Sequence, residues 1–268
     1  MPDDRLPPGA SADLELALRA ARAAGEVIAR QYRQEVTAES KAGGKGETTA
    51  TDRAAEAVIL SLLAAESEHA VLSEEAGGRR DPEAACWVVD PLDGTTNYSR
   101  KLPLFCVSIA LMRGRRPELG VVLDPLRRDW YAAQRGWGCF RNGAPARVSD
   151  KVDPATAVVF LQHGYAVPDR QRFATVTQRL ALTSYARDLG ATALELAFVA
   201  AGAAEGHVCS GDELWDFAAG MVLVEEAGGR VTDWRGRPWD GRGSYILVSN
   251  GRLHEYLVRA VGDLQEDD

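Results

Sequence analysis

The sequence predicts an α/β fold. Three observations carry that reading: an amphipathic helix opens the chain, short apolar strands then alternate with helical stretches, and carboxylates stand where two of those strands stop. With 268 residues, 46% of them hydrophobic, the chain can bury one large core or two closely packed ones.

After a proline-rich opening, ADLELALRAARAAGEVIARQY sets Leu14, Ala17, Ala21, Ala24, Ile28 and Tyr32 at helical intervals, with Arg and Glu between them. The glycines of KAGGKGETTATD interrupt that periodicity before RAAEAVILSLLAAE resumes it, and Asp52 stands where it can cap the second helix. HAVLSEEAGG reads as a short strand ending in carboxylates, and CWVVDPLDG repeats the arrangement. Strand ends are favoured ligand positions in open α/β structures, because a buried core fixes groups that stay accessible at its edge. Further strands are expected at FCVSIALM, ELGVVLD and DWYAAQ, and the Asn142-Gly143 pair signals a turn. Near residue 150 the texture changes, which divides the chain into an N-terminal α/β region, 1–150, and a C-terminal one, 151–268. The second region offers a strand at AVVFLQHG, helices at RFATVTQRLAL and TALELAFVAAGAA, a helix beginning near Asp216 and a last strand in SYILVSN. No internal repeat or low-complexity linker points to an array or a disordered binding protein.

The balance of 31 basic against 39 acidic residues leaves a formal charge of -8. No basic arm is present and RGRR at 113–116 reads as a solvated turn, so a nucleic acid polymer is not expected as a partner. Cys86, Cys106, Cys139 and Cys209 are far apart and read as buried thiols of a reducing compartment. The N-terminus lacks the pattern of a secretory signal, and no run reaches about 18 apolar residues. A soluble cytoplasmic protein with no membrane partner is the expectation.

The stretch DPLDGTTNY concentrates the chemistry. Two Asp side chains cannot stay ionised in one small pocket without a positive counterweight, and a divalent cation supplies it. Pro91 and Gly94 allow Asp90 and Asp93 to converge from a bend. Oxygen ligands with no His or Cys nearby favour Mg²⁺ or Mn²⁺ over structural Zn²⁺. Taken alone, the hexapeptide DPLDGT also fits an Asx-turn or a helix cap.

Four segments in order, ETTATD, LSEEAGG, DPLDGTTNY and LWDFAAG with its following EEAGG, resemble the inositol monophosphatase family of metal-dependent, lithium-sensitive phosphomonoesterases. The resemblance runs from about Leu14 to Ser249. It implies a layered α/β/α/β/α sugar-phosphatase-like fold, a homodimer, and two or three Mg²⁺ ions for which Mn²⁺ can substitute. It also implies a metal set of Glu74, Asp90, the Leu92 carbonyl, Asp93 and Asp216, with Glu75 at the adjacent acidic position. Catalytic roles fall on Glu74, which orients the attacking water, on Thr95, and on Asp52, which is hydrogen-bonded to Thr95. Phosphate is expected at Gly94, Thr95 and Thr96, and the rest of the substrate beside Arg187, Gly190, Ala191 and Cys209.

That assignment suits phosphate monoester cleavage, which needs positive charge at the phosphoryl and leaving oxygens and a water held in line. No covalent nucleophile is required. CxxxxxR is absent, and KAGGKGETT fails the P-loop spacing. Gly46 stands where the family often has Asp, and Thr48 where it has Val, while Thr49 and Asp52 keep the pattern. Cys209 replaces a Glu that binds a substrate hydroxyl in many inositol-phosphate-cleaving members, and a thiol is a weak acceptor.

Other polar and aromatic residues have plainer readings beside functional ones. Trp215 reads as core or hinge packing, Lys41 as a metal-site neighbour or a solvated lysine, and the four histidines as packing or surface groups. The expected activity is Mg²⁺-dependent hydrolysis of a small phosphomonoester, an inositol phosphate or a related polyol or sugar phosphate. A 3'-phosphonucleotide phosphatase, a fructose-bisphosphatase and a histidinol-phosphatase are the alternatives within that chemistry, and an inactive metal-binding regulatory homologue is the alternative outside it.

Overall fold

The structure is a computed structural model that describes residues 5–41 and 46–264. In chain order its elements are α1 (Ala12–Gln31), β1 (Ala38–Ser40), β2 (Glu47–Thr49), α2 (Ala50–Glu66), β3 (Ala70–Ser73), β4 (Ala85–Asp93) and α3 (Thr95–Ser99). There follow β5 (Cys106–Arg113), β6 (Arg116–Asp124), β7 (Asp129–Gln134), β8 (Gly138–Arg141) and β9 (Ala144–Pro145). The remainder comprises β10 (Val158–His163), α4 (Val167–Ala181), β11 (Tyr185–Arg187), α5 (Thr192–Ala200), β12 (Gly206–Ser210), α6 (Leu214–Glu226), β13 (Arg230–Asp233), β14 (Ile246–Ser249) and α7 (His254–Val261).

Two large sheets organise these elements, and β1 and β2 pair apart from them as a two-stranded sheet. Of the large sheets, one runs in strict sequence order from β3 to β9, and the other has the order β11-β10-β12-β14-β13. Period-two alternation fixes which side chains reach which layer. On β5, Val107, Ile109 and Leu111 enter the core under α1 and α2, while Cys106, Ala110 and Met112 enter a second core shared with α5 and α6. On the five-stranded sheet, Phe160, Cys209 and Val248 join that same second core, and Val159, Val208 and Leu247 join a third beneath α4 and α7. The layers are therefore α1/α2, seven-stranded sheet, α5/α6, five-stranded sheet, α4/α7, which is the α/β/α/β/α arrangement. No helix of the described residues is long and apolar enough to cross a membrane.

α6 is buried between the two sheets, and its approach to β6 is close. A Cβ on Gly120 would lie 2.6 Å from the Ala219 carbonyl oxygen and 2.7 Å from its Cα. Only glycine lets the helix seat at that depth.

Local sequence reading located α1, α2, α4, α5, α6 and the strands β3 to β7, β10 and β14. It missed β12, α7 and the short elements β1, β2, α3, β8, β9, β11 and β13, and it gave Asp52 the wrong place in its helix. Thr49 is the N-cap of α2, and Asp52, three residues on, completes a capping box by accepting the Thr49 N–H at 2.8 Å.

Candidate metal centre

β4 carries the first half of the site. Its pairing with β5 is regular to Asp90, opposite Ser108, and resumes at Asp93, opposite Cys106, so three steps on β4 match two on β5. In a regular strand, residues three apart face opposite sides. The bulge at Pro91 and Leu92 cancels that opposition and lets both carboxylates turn to one side. Asp216 comes from the first turn of α6, where its Oδ2 accepts the Glu213 N–H at 2.8 Å. Ligand oxygens of Asp90, Asp93 and Asp216 all lie within 4.8 Å of one another.

Each carboxylate is also held by its own backbone contact. Asp90 Oδ1 accepts the Leu92 N–H at 2.9 Å, and Asp93 Oδ2 accepts the Ala193 N–H, at the start of α5, at 2.7 Å. Burial, together with Glu74, Asp93 and Asp216, pushes Asp90 well above the usual carboxylate range. Burial pushes Asp93 up to about 8 against the opposing Ala193 hydrogen bond, and burial with Asp212, Asp93 and Glu74 raises Asp216. Like charges are thus confined where water is scarce, an arrangement that a divalent cation relieves. The donor set is entirely oxygen, which fits Mg²⁺ or Mn²⁺.

Glu74 stands in the turn after β3. Lys41 Nζ lies 2.6 Å from both Glu74 and Glu75 and is four-fifths buried. Burial pulls the Lys41 pKa down, but the two carboxylates outweigh it and leave the ammonium raised above its ordinary value. Of the two readings of Lys41, the structure selects the metal-site neighbour.

Below the cluster, the Thr95 hydroxyl lies 2.8 Å from Asp52 Oδ1 and 3.0 Å from the Leu92 carbonyl oxygen. Burial raises Asp52 to about 6, in opposition to the hydrogen bonds from Thr49 and Thr95. Gly94 takes φ 91°, and a Cβ there would lie 2.9 Å from the Leu104 carbonyl oxygen, so the turn into α3 requires glycine. Asn97 Nδ2 then donates to Leu104 O at 2.8 Å and Leu189 O at 2.6 Å, which ties α3 to the loop before α5.

These groups open onto one cavity of 250 Å³. Glu74, Asp90, Leu92, Asp93 and Asp216 line it, as do Gly94, Thr95, Thr96 and Gly190. Asp52 sits behind Thr95. Three residues expected at the substrate are not among the lining. Arg187 is exposed and donates to its neighbour's Ala186 carbonyl, Ala191 is buried at the start of α5, and the fully buried Cys209 thiol donates to the Ser244 carbonyl at 3.3 Å. Sequence reasoning missed Gln162, His163 and Tyr165, at and just beyond the end of β10, and Thr192, Asp212 and Glu213. The available signal was the one used for β3 and β4: polar groups where an apolar strand stops. A larger cavity of 530 Å³ lies in the loop after β13, lined by Arg235, Arg237 and Arg242 among others. It holds none of the three clustered carboxylates, so chemistry and not size identifies the candidate centre.

The sequence profile of the inositol monophosphatase family matches residues 11–266. The chain is 40% identical over 264 residues to a protein of Salmonella typhimurium named Nus factor SuhB, a match covering 95% of this chain and 97% of the relative. It is 34% identical over 253 residues to the inositol-1-monophosphatase of Synechocystis sp., covering 92% and 88%. The structure of an inositol monophosphatase from Anabaena superposes with a TM-score of 0.82 at 34% identity, covering 93% of this chain and 94% of that one.

Proposed function

The chain belongs to the inositol monophosphatase family, and from that membership we propose that it hydrolyses a small phosphomonoester with Mg²⁺ as cofactor. The observation that carries the reading is the convergence of Asp90, Asp93 and Asp216 at one cavity, directly beside the Thr95–Asp52 hydrogen bond. In this reading Asp90, Asp93, Asp216, Glu74 and the Leu92 carbonyl hold two or three ions. Bound there, the ions would supply Lewis-acid stabilisation of the phosphoryl and leaving oxygens and ease deprotonation of the attacking water. Thr95 gives its hydroxyl proton to Asp52, so that its oxygen can accept a hydrogen bond from the water, and Glu74 holds that water from a second side. Gly94, Thr95 and Thr96 receive the phosphate. Residues 1–150 supply most of this machinery and 151–268 supply Asp216 and the substrate-facing loops. A soluble cytoplasmic homodimer inhibited by Li⁺ completes the proposal.

Phosphate release from a panel of inositol, sugar, nucleotide and amino-alcohol phosphates, with Mg²⁺ and with EDTA, tests it. Metal-dependent turnover that falls at least about tenfold in Asp93→Asn supports the reading, since that substitution removes a charge at constant size. Turnover indifferent to chelation or to Asp93→Asn would overturn it.

A regulatory role beside catalysis is a second reading, because a close relative carries the name Nus factor SuhB. One observation favours it: Arg235, Arg237 and Arg242 outnumber Asp233 and Asp240 in the lining of the 530 Å³ cavity, although Arg237 is paired with Asp233 at 2.8 Å, on a chain of net charge -8. Such a patch suits an anionic macromolecule. Salt-sensitive binding of RNA that is lost on replacing Arg242 and Arg237 would support this reading, and no binding at low salt would remove it.

A further inference from the structure

Asp212 lines the cavity, yet its carboxylate is not part of the three-Asp cluster. It is only 7% exposed. Thr192 donates its hydroxyl to Asp212 Oδ2 at 2.6 Å, and the Cys209 thiol lies beside the carboxylate. Among the described residues, no Lys or Arg lines this cavity and none forms an ion pair with Asp212. Two imidazoles act on it: His163, which lines the same cavity, and His207, which is wholly buried, 3.0 Å from Glu195, with its pKa lowered by burial to about 4.

The fold has therefore anchored a carboxylate at a substrate cavity with no Lys or Arg against it. A buried carboxylate in that position is costly unless a partner arrives. The metal ions have their own donors in Glu74, Asp90, Asp93 and Asp216, which leaves Asp212 to face whatever else enters. The family resemblance expects a substrate-binding carboxylate at residue 209. Here the Cys209 thiol donates to the Ser244 carbonyl, and Asp212 lines the cavity three residues later, in the turn that leads into α6.

We propose that Asp212 is the specificity-determining residue for the alcohol half of the substrate, and that it selects phosphomonoesters whose alcohol carries a protonated amine. The inference rests on the phosphatase reading and narrows it. A hydroxyl satisfies one lone pair of a carboxylate but leaves its charge, whereas an ammonium supplies both a donor and a countercharge. Glu213, exposed at the rim with no ion-pair partner among the described residues, adds the same sign. An alcohol bearing a second phosphate meets repulsion there, which disfavours the nucleotide and fructose-bisphosphate alternatives.

The test compares aminoalkyl phosphates of two and three carbons with their hydroxyalkyl counterparts, at pH 7 with Mg²⁺. The wild-type protein is expected to favour the amine in kcat/KM by about tenfold or more, mainly through KM. Asp212→Asn keeps size and loses charge, and the ratio is expected to fall to about twofold or less. Thr192→Val, which frees the carboxylate without removing it, should lower the ratio part of the way and keeps the proposal testable if Asp212→Asn folds poorly. A wild-type protein without amine preference overturns the proposal, and so does a ratio that survives Asp212→Asn. It is equally overturned if Asp212→Asn weakens Mn²⁺ binding and slows every ester alike, because that is a metal-site role. Should none of the esters be hydrolysed, the phosphatase reading fails separately. Calorimetric titration with 2-aminoethyl and 2-hydroxyethyl phosphate then decides: tighter amine binding that Asp212→Asn abolishes upholds the role of Asp212, and equal binding removes it.

Discussion

The hydroxyl of Thr95 lies 2.8 Å from Asp52 Oδ1 and joins residues 43 positions apart. Asp52 is meanwhile fixed by Thr49 in the capping box of α2. The orientation of one hydroxyl at the cavity is thus set by the start of a helix in another layer.

Thr95→Val preserves shape and removes that hydroxyl. Turnover is expected to fall by about 10²-fold or more, while the Mn²⁺ dissociation constant, measured by calorimetry, changes by less than about threefold. Asp52→Asn should slow turnover as well, and it should also lower the melting temperature, because the capping box loses its charge-assisted acceptor.

Metal removal should make stability depend on pH in an unusual direction. Asp93 has a folded pKa of about 8, above its unfolded value of 3.8, so between those values the native state binds more protons than the unfolded chain. Stability of the metal-free protein is then gained as pH falls below about 8 and lost as pH rises toward it; Asp90 and Asp216, raised by the same burial, act in the same sense. Mg²⁺ binds the deprotonated form, so its stabilisation grows with pH. Urea unfolding at pH 6.5 and 8, with EDTA and with Mg²⁺, should show the gap between the two conditions widening at the higher pH.

Gly120→Ala places a methyl group against the Ala219 backbone, 2.6 Å from its carbonyl oxygen. Backbone cannot step aside as a side chain does, so a cost of about 1–3 kcal/mol is expected in chemical denaturation. An unchanged urea midpoint would mean that α6 can slide on β6.

Cys209→Glu puts a second carboxylate in a fully buried position beside Asp212. The expected result is a loss of at least about 2 kcal/mol of stability, measured by urea unfolding. Wild-type stability, coupled to improved kcat/KM for inositol phosphate, would show that the longer side chain reaches the cavity instead.

Sequence made the site's acids legible because each lies in a short polar run where an apolar strand or helix meets its end. Asp90 and Asp93 announce themselves through Pro91 and Gly94, and Asp216 through the apolar helix behind it. Lys41 was ambiguous because its partners, Glu74 and Glu75, meet it only after the chain has folded back. β12 was invisible for another reason. All five residues of GHVCS are buried, so no alternation marks it, and its neighbours β10 and β14 lie on either side of it in the sheet but far from it in the chain. Asp212 is not legible in the sequence, since nothing local tells a buried carboxylate from a solvated one.

The Ala193 N–H to Asp93 bond spans 100 residues, and Asp216 joins the same oxygens from farther still. A nascent or partly refolded chain that has formed only the seven-stranded sheet holds Asp90 and Asp93 without their third partner. Under the proposed metal set, full divalent affinity requires α5 and α6 to dock, and a metal-responsive dye followed during refolding would act as a stopwatch for that docking step.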